Sequence, residues 1–172
     1  MRTVTYFHRI SSPLGAMLLV ATDDALSGIY FDEQRYFPDV AADWRADPDH
    51  PVLRAAQTQL AEYFNGKRTH FDLPLGPSGT PFQRTVWTAI GTVPAGATIA
   101  YRELAARAGR PASIRAAGAA TGRNPLTIVI PCHRIIGSNG ALTGYAGGLD
   151  RKRALLALEA KHIAHPLLAR AA

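Results

Sequence analysis

Residues Arg115 to Gly137 read RAAGAATGRNPLTIVIPCHRIIG. The stretch opens as a helix of small residues, passes Gly-Arg-Asn-Pro, and runs as an apolar segment into Pro131-Cys132-His133. Cys132 is the only cysteine of the chain. Two readings are open: a small residue buried at a strand end, or a nucleophile with its base close by. A thiol attacks only as its thiolate, and its free pKa is about 8.5. Activation therefore needs a positive or proton-accepting neighbour, most often His. Adjacent residues of a strand point to opposite faces, so Cys132 and His133 share a pocket only if the chain breaks between them and the strand. Pro131 favours that break by fixing its own φ and restraining Ile130. A histidine base works best when a carboxylate orients it. The second half of the chain offers only Glu103, Asp150 and Glu159. Glu159 stands out in the apolar run ALLALEA, where a carboxylate off the solvent face needs a partner.

Just upstream, YRELAARAG and RPASIRAAGAATG read as two short helices joined by a tight turn, a helix-turn-helix. The second presents little bulk: Ser113, Ala116, Ala117, Ala119 and Ala120 let its backbone come close to whatever it meets. TPFQRTVWTAIGTVP starts a further helix with a Thr80 cap and Pro81 in its first turn, and Phe82, Val86 and Ile90 recur at helical spacing. Downstream, LDRKRALLALEAKH is amphipathic, with Leu155, Leu156 and Leu158 inward and Arg151, Lys152 and Arg153 near its start, placed to contact phosphate or water.

The first half has a different character. VTYFHRI, AMLLVAT and ALSGIYF are short β-type runs separated by turn formers, SSPLG and DD. PVLRAAQTQLAEYFNGK reads as a helix with Leu53, Ala56, Leu60 and Phe64 on one face, stopped by Asn65-Gly66. DEQRYFPDVAADWRADPDH between them is acidic and patternless, so irregular chain is expected. LPLGPSGTPF, Leu73 to Phe82, reads as a linker. The expected fold is α/β (α+β): a sheet-and-helix domain with its linker over residues 1–79, then a mostly helical domain over 80–172.

Charge divides at the same place. Residues Met1 to Gly79 hold seven Lys/Arg against ten Asp/Glu, net −3, and Thr80 to Ala172 hold twelve against three, net +9. Such asymmetry points to nucleic acid or a membrane surface. No apolar run approaches the roughly 18 residues that span a bilayer, and no signal peptide opens the chain. A single cysteine excludes an internal disulfide and a Cys-rich zinc site, and His8, His50, His70, His162 and His165 show no metal-binding spacing. A reducing cytoplasm is the expected compartment.

PCHR preceded by GRNP and followed by GYAGGLDRKRALLALE resembles the O6-alkylguanine-DNA alkyltransferases. FQRTVW, VPAGATIAYRELA and RAAGAATGRNPLTIVIPCHRIIG are similar to that family's C-terminal domain almost end to end, from about Thr80 to Lys161. The N-terminal part is similar in layout only, a ribonuclease H-like sheet. The resemblance implies irreversible transfer of an alkyl group from O6 of guanine, less firmly from O4 of thymine, to Cys132, once per molecule. It implies that His133 takes the thiol proton through a bridging water, oriented by Glu159. Asn124 would brace the turn before the active-site segment, and Tyr101 and Lys152 would assist the departing guanine. Arg115 would fill the stack when the base flips out, with Ser113, Ala116, Tyr101 and Arg123 along the minor-groove DNA contact. Pro131, Ile135, Tyr145, Ala146 and Gly147 would wall the pocket. Some relatives carry Ser at the position of Ala146, so a slightly larger pocket is expected here. The implied partner is double-stranded DNA containing O6-alkylguanine, bound by a monomer with cooperativity along DNA left open. No membrane, cofactor or metal is implied.

Two other readings make different predictions. A Cys-His-Glu hydrolase of a small substrate would turn over. A non-catalytic helix-turn-helix DNA-binding protein would keep its function in Cys132→Ala.

Overall fold

The computed structural model describes residues 3–163, and His165 lies outside them. Three strands form antiparallel hairpins: β1 (Tyr6–Ile10), β2 (Met17–Ala21) and β3 (Leu26–Phe31). β2 is the central strand and is buried throughout. The segment expected to be irregular contributes a short strand, β4 (Arg45–Ala46), parallel to β1 at the far edge. Its two residues are exposed and held by backbone pairing, so no hydrophobic alternation marks them.

Helix α1 (Pro51–Phe64) covers the sheet with Leu53, Ala56, Leu60 and Tyr63. It ends at Asn65, and Gly66 follows at φ +76, a conformation that favours glycine. α2 (Pro81–Ile90) begins with the expected cap, completed as a capping box: Thr80 accepts from the Gln83 N–H, and Gln83 accepts from the Thr80 N–H. α3 (Tyr101–Arg107) and α4 (Ile114–Gly122) form the helix-turn-helix. Trp87 of α2 donates its indole N–H to the Ala120 carbonyl at 2.8 Å, which pins α4 to α2. α4 buries Ala117, Ala120 and Thr121 and leaves Ile114, Arg115, Ala116 and Ala119 outward. The small residues thus serve both close packing on one side and a low-relief surface on the other. Two further short strands, β5 (Ile99–Ala100) and β6 (Ile135–Ile136), pair in parallel, and α5 (Leu149–Ile163) closes the fold.

The two halves share one hydrophobic core, which runs from Ile10 to Leu155. The edge of β3 is the seam. Ile29 N–H donates to the Pro125 carbonyl at 2.8 Å, and Thr127 N–H donates back to Ile29 at 3.2 Å. The sheet therefore grips the chain a few residues before Cys132. Immediately beyond that grip Ile128 adopts φ +74 while fully buried. A β-branched residue there stores about 1–3 kcal/mol of strain, which the surrounding packing must offset.

The basic start of α5 is not a single solvated patch. Arg151 packs its guanidinium 4.5 Å from the Phe31 ring and donates to the Leu14 and Gly147 carbonyls. Lys152 is fully buried, and only Arg153 is exposed. The buried face of α5 reads Lys152, Leu155, Glu159, His162, so three of its four inward positions are polar. Among the described residues, no helix is long and apolar enough to cross a membrane.

Candidate active site

Pro131 makes the break that the sequence requires. It sits at φ −81, ψ 63, and the Cys132 N–H reaches back to the Ile130 carbonyl at 2.8 Å, an inverse γ-turn. The chain then passes through a buried 3-10 turn, Cys132–Arg134. Successive side chains in such a turn are about 120° apart rather than opposed, so three neighbours can serve one site.

Two of them, His133 and Arg134, converge on α5. His133 Nε2 lies 2.6 Å from Glu159 Oε1. Arg134 grips the same carboxylate, Nε to Oε2 at 3.0 Å and Nη2 to Oε1 at 2.7 Å, and its Nη1 donates to the Val93 carbonyl. Tyr63 of α1 donates its hydroxyl to Oε1 at 2.8 Å. Burial pushes the Glu159 carboxyl up, but hydrogen bonds and charge from His133 and Arg134 outweigh it and hold the group at about 2. Glu159 is thus an ionised acceptor, and His133 Nε2 must carry the proton that faces it. Burial lowers the His133 pKa below the usual imidazole value, against the pull of Glu159, so the ring is neutral at pH 7. Its Nδ1 then holds a free lone pair, buried and without a hydrogen-bond partner among the described residues.

Cys132 is 5% exposed. Asn124 donates Nδ2 to its Sγ at 3.1 Å and to the Ile130 carbonyl at 2.8 Å, while Asn124 Oδ1 accepts the Leu126 N–H at 2.9 Å. That last bond fixes which end of the amide faces the sulfur. Burial pushes the thiol pKa up, with Asn124 and then Lys152 opposing, so the resting group is the thiol. Lys152 Nζ donates to the carbonyls of Ile135 at 2.6 Å, Thr143 at 3.1 Å and Gly144 at 3.3 Å. It ties the 143–144 loop to β6.

The thiol opens on a cleft of about 720 Å³ between that loop and α4, with Tyr101, Tyr145 and Ala146 on its walls. Tyr101 is half-buried and its hydroxyl donates to the Thr143 carbonyl at 3.4 Å. The Tyr145 hydroxyl is buried and has no hydrogen-bond partner among the described residues. Pro131, Ile135 and Gly147, expected as pocket walls, do not line this cleft. The γ-turn puts Pro131 on a separate cavity of about 680 Å³ behind the site, Ile135 is sealed in β6, and the Gly147 carbonyl is held by Arg151.

Arg115 is exposed on α4 and makes no hydrogen bond or ion pair among the described residues. Ser113 holds the N-cap position of α4 without a side-chain cap bond, and Ala116 faces the cleft. Arg123, at the far end of α4, lies 3.7 Å over the Tyr36 ring, so the loop after β3 reaches the same rim. Arg134 and Tyr63 escaped the sequence reading. Arg134 carried the same signal as Glu159, a charge set among isoleucines in IPCHRIIG. Tyr63 carried none, being one more apolar-face residue of α1. Among the described residues no cluster of His, Cys, Asp and Glu could hold a metal ion.

Fold and site together define a helix-turn-helix DNA-binding protein with a chemically supported thiol beneath its second helix. Two family models cover nearly all of it: the ribonuclease-like domain of 6-O-methylguanine DNA methyltransferase over residues 5–77 and the DNA binding domain of the same family over residues 81–161. The chain belongs to the 6-O-methylguanine DNA methyltransferase family. It is 44% identical to a methylated-DNA–protein-cysteine methyltransferase of Mycolicibacterium paratuberculosis, over 91% of this chain and 93% of that one. A Methanosarcina barkeri protein of the same name is also 44% identical, over 92% and 99%. The crystal structure of Mycobacterium tuberculosis OGT in complex with DNA superposes with TM-score 0.84 at 42% identity, covering 91% of this chain and 94% of that one.

Proposed function

We propose that this chain repairs O6-alkylguanine in duplex DNA by moving the alkyl group onto Cys132. The observation that carries the reading is the line Asn124, Cys132, His133, Glu159. A buried thiol accepts a hydrogen bond from a fixed amide, beside a neutral imidazole whose tautomer a buried carboxylate sets. In the step, a bond forms between Sγ and the alkyl carbon as the bond from that carbon to O6 breaks. The thiol proton passes to His133 Nδ1 through a bridging water, and guanine leaves after taking up a proton. Tyr101, which lines the cleft, supplies it in this reading. The Asn124 N–H stabilises charge on sulfur as it develops, in the manner of an oxyanion site. Lys152 acts from behind, as a buried cation that favours thiolate and as the anchor of the 143–144 wall.

Arg115 is the stack-filling residue when the base flips out, which costs a few kcal/mol. Arg123 and the basic face of the second half supply phosphate contacts and the salt dependence that follows. A thiol consumed by its own reaction suits a reducing cytoplasm and a monomer. Incubation with duplex carrying O6-methylguanine should restore plain guanine in the DNA, and Cys132→Ala should not. Substrate loss that continues beyond one equivalent would favour a hydrolase instead.

A further inference from the structure

Tyr63 connects the first half of the chain to the chemistry of the second. It lies on the last turn of α1, fully buried, its ring set against Phe64 and Phe71 at centroid distances of 5.5 and 5.6 Å. Those contacts aim the hydroxyl at Glu159, ninety-six residues away in sequence. The choice of oxygen matters. Among the described residues, Oε1 accepts from Tyr63 at 2.8 Å, from His133 Nε2 at 2.6 Å and from Arg134 Nη2 at 2.7 Å, while Oε2 accepts only Arg134 Nε at 3.0 Å. A carboxylate oxygen has two lone-pair directions, so three donors on one atom compete for its charge.

We propose that Tyr63 is a positioning residue for alkyl transfer: its hydroxyl takes up part of the charge on Glu159 Oε1 and so keeps His133 a weak enough base to be neutral before the reaction. The inference rests on the reading of His133 as proton acceptor. A carboxylate left wholly to His133 would favour the imidazolium and remove the acceptor lone pair. Arg134 compensates the charge of Glu159 overall, and Tyr63 tempers it at the atom His133 touches. Besides Glu159 and Arg134, the field at His133 comes from Lys152 on α5. Tyr145 from the 143–146 loop feels Cys132 and Glu159, and His162, one turn beyond Glu159, feels that carboxylate. None of Lys152, Cys132, Tyr145 and His162 is a partner of the Tyr63 hydroxyl. None of these donates to Oε1. An alteration confined to the Tyr63 hydroxyl therefore removes no hydrogen bond from any of them; Tyr145 feels it through the charges of Tyr63 and Glu159, and His162 through Glu159.

The test is the pH dependence of the transfer rate to full-length protein from duplex carrying O6-methylguanine. Tyr63→Phe deletes the hydroxyl and keeps the ring. Its acid limb should move up by about half a unit to one unit, the share of a charge-assisted hydrogen bond that passes to His133. Replacing Tyr63 by 3-fluorotyrosine, a stronger donor of the same shape, should move the limb down, and it keeps the inference testable if Tyr63→Phe does not fold. An acid limb that disappears in His133→Gln but stays fixed in the Tyr63 variants overturns the inference, whatever their rates do. A limb that survives His133→Gln contradicts the acceptor reading itself, and the inference with it.

Discussion

The cluster behind Cys132 and the outward face of α4 carry charge in opposite ways. Behind the thiol, Glu159, Arg134 and Lys152 are buried and every side-chain nitrogen of the two cations donates to a fixed acceptor. On α4, Arg115 stands exposed and makes no hydrogen bond or ion pair among the described residues. A buried charge is tolerated only when paired, so the inner set must be complete before any substrate arrives. An exposed arginine costs little to leave free, and it waits for a partner that brings the anions. Preorganised chemistry and recruitable binding are thereby separated by the thickness of one small-residue helix.

The largest effects should come from breaking the inner set. Cys132→Ala should abolish transfer and leave DNA affinity unchanged, measured by DNA repair beside a binding titration. Glu159→Gln should slow transfer by about 10²–10⁴-fold, since His133 loses its tautomer and orientation. The same change should cost about 3–5 kcal/mol of stability, because Arg134 is left buried and unpaired. Denaturant unfolding would read that loss.

Acid should dismantle the inner set in a definite order. His133 and Glu159 both bind protons less readily in the fold than in the unfolded chain, where they titrate near 6.5 and 4.5. Their stabilisation is complete above 6.5 and is lost as pH falls, first through His133 and then as Glu159 is driven from 4.5 toward about 2. A melting temperature that holds steady from pH 7 to 4 would contradict this.

The outer face should respond differently. Arg115→Ala should slow transfer from duplex DNA while leaving transfer from the free modified base untouched, with stability changed by no more than about 0.5 kcal/mol. Arg123→Ala should lower the slope of binding against salt by about one. Loss of stability in either variant would blur the contrast between the two regions.

That contrast also decides what the sequence could reveal. The helix-turn-helix, the capped α2 and the three hairpin strands were legible because periodicity and caps are local. The nucleophile was legible as a candidate, and its helpers through resemblance. Glu159 was visible from residues alone, as a charge in an apolar run, and Arg134 obeyed the same rule. What local pattern cannot show is convergence: from residues alone Lys152 looked like a solvated helix start, yet its nitrogen ends among three carbonyls, one on β6 and two in the 143–144 loop. β4, β5 and β6 are too short to alternate, and Tyr63 reads as core because its ring is core. Only its hydroxyl belongs to the site.

The central claim is that the alkyl group moves once, to one sulfur. Intact-protein mass after reaction with an excess of O6-methylguanine duplex tests it most directly, with peptide mapping to place the adduct. The account predicts a gain of one methylene per molecule, on the peptide that holds Cys132, and none in Cys132→Ala. An unmodified protein that has consumed many equivalents of substrate, or an adduct elsewhere in the chain, would contradict it.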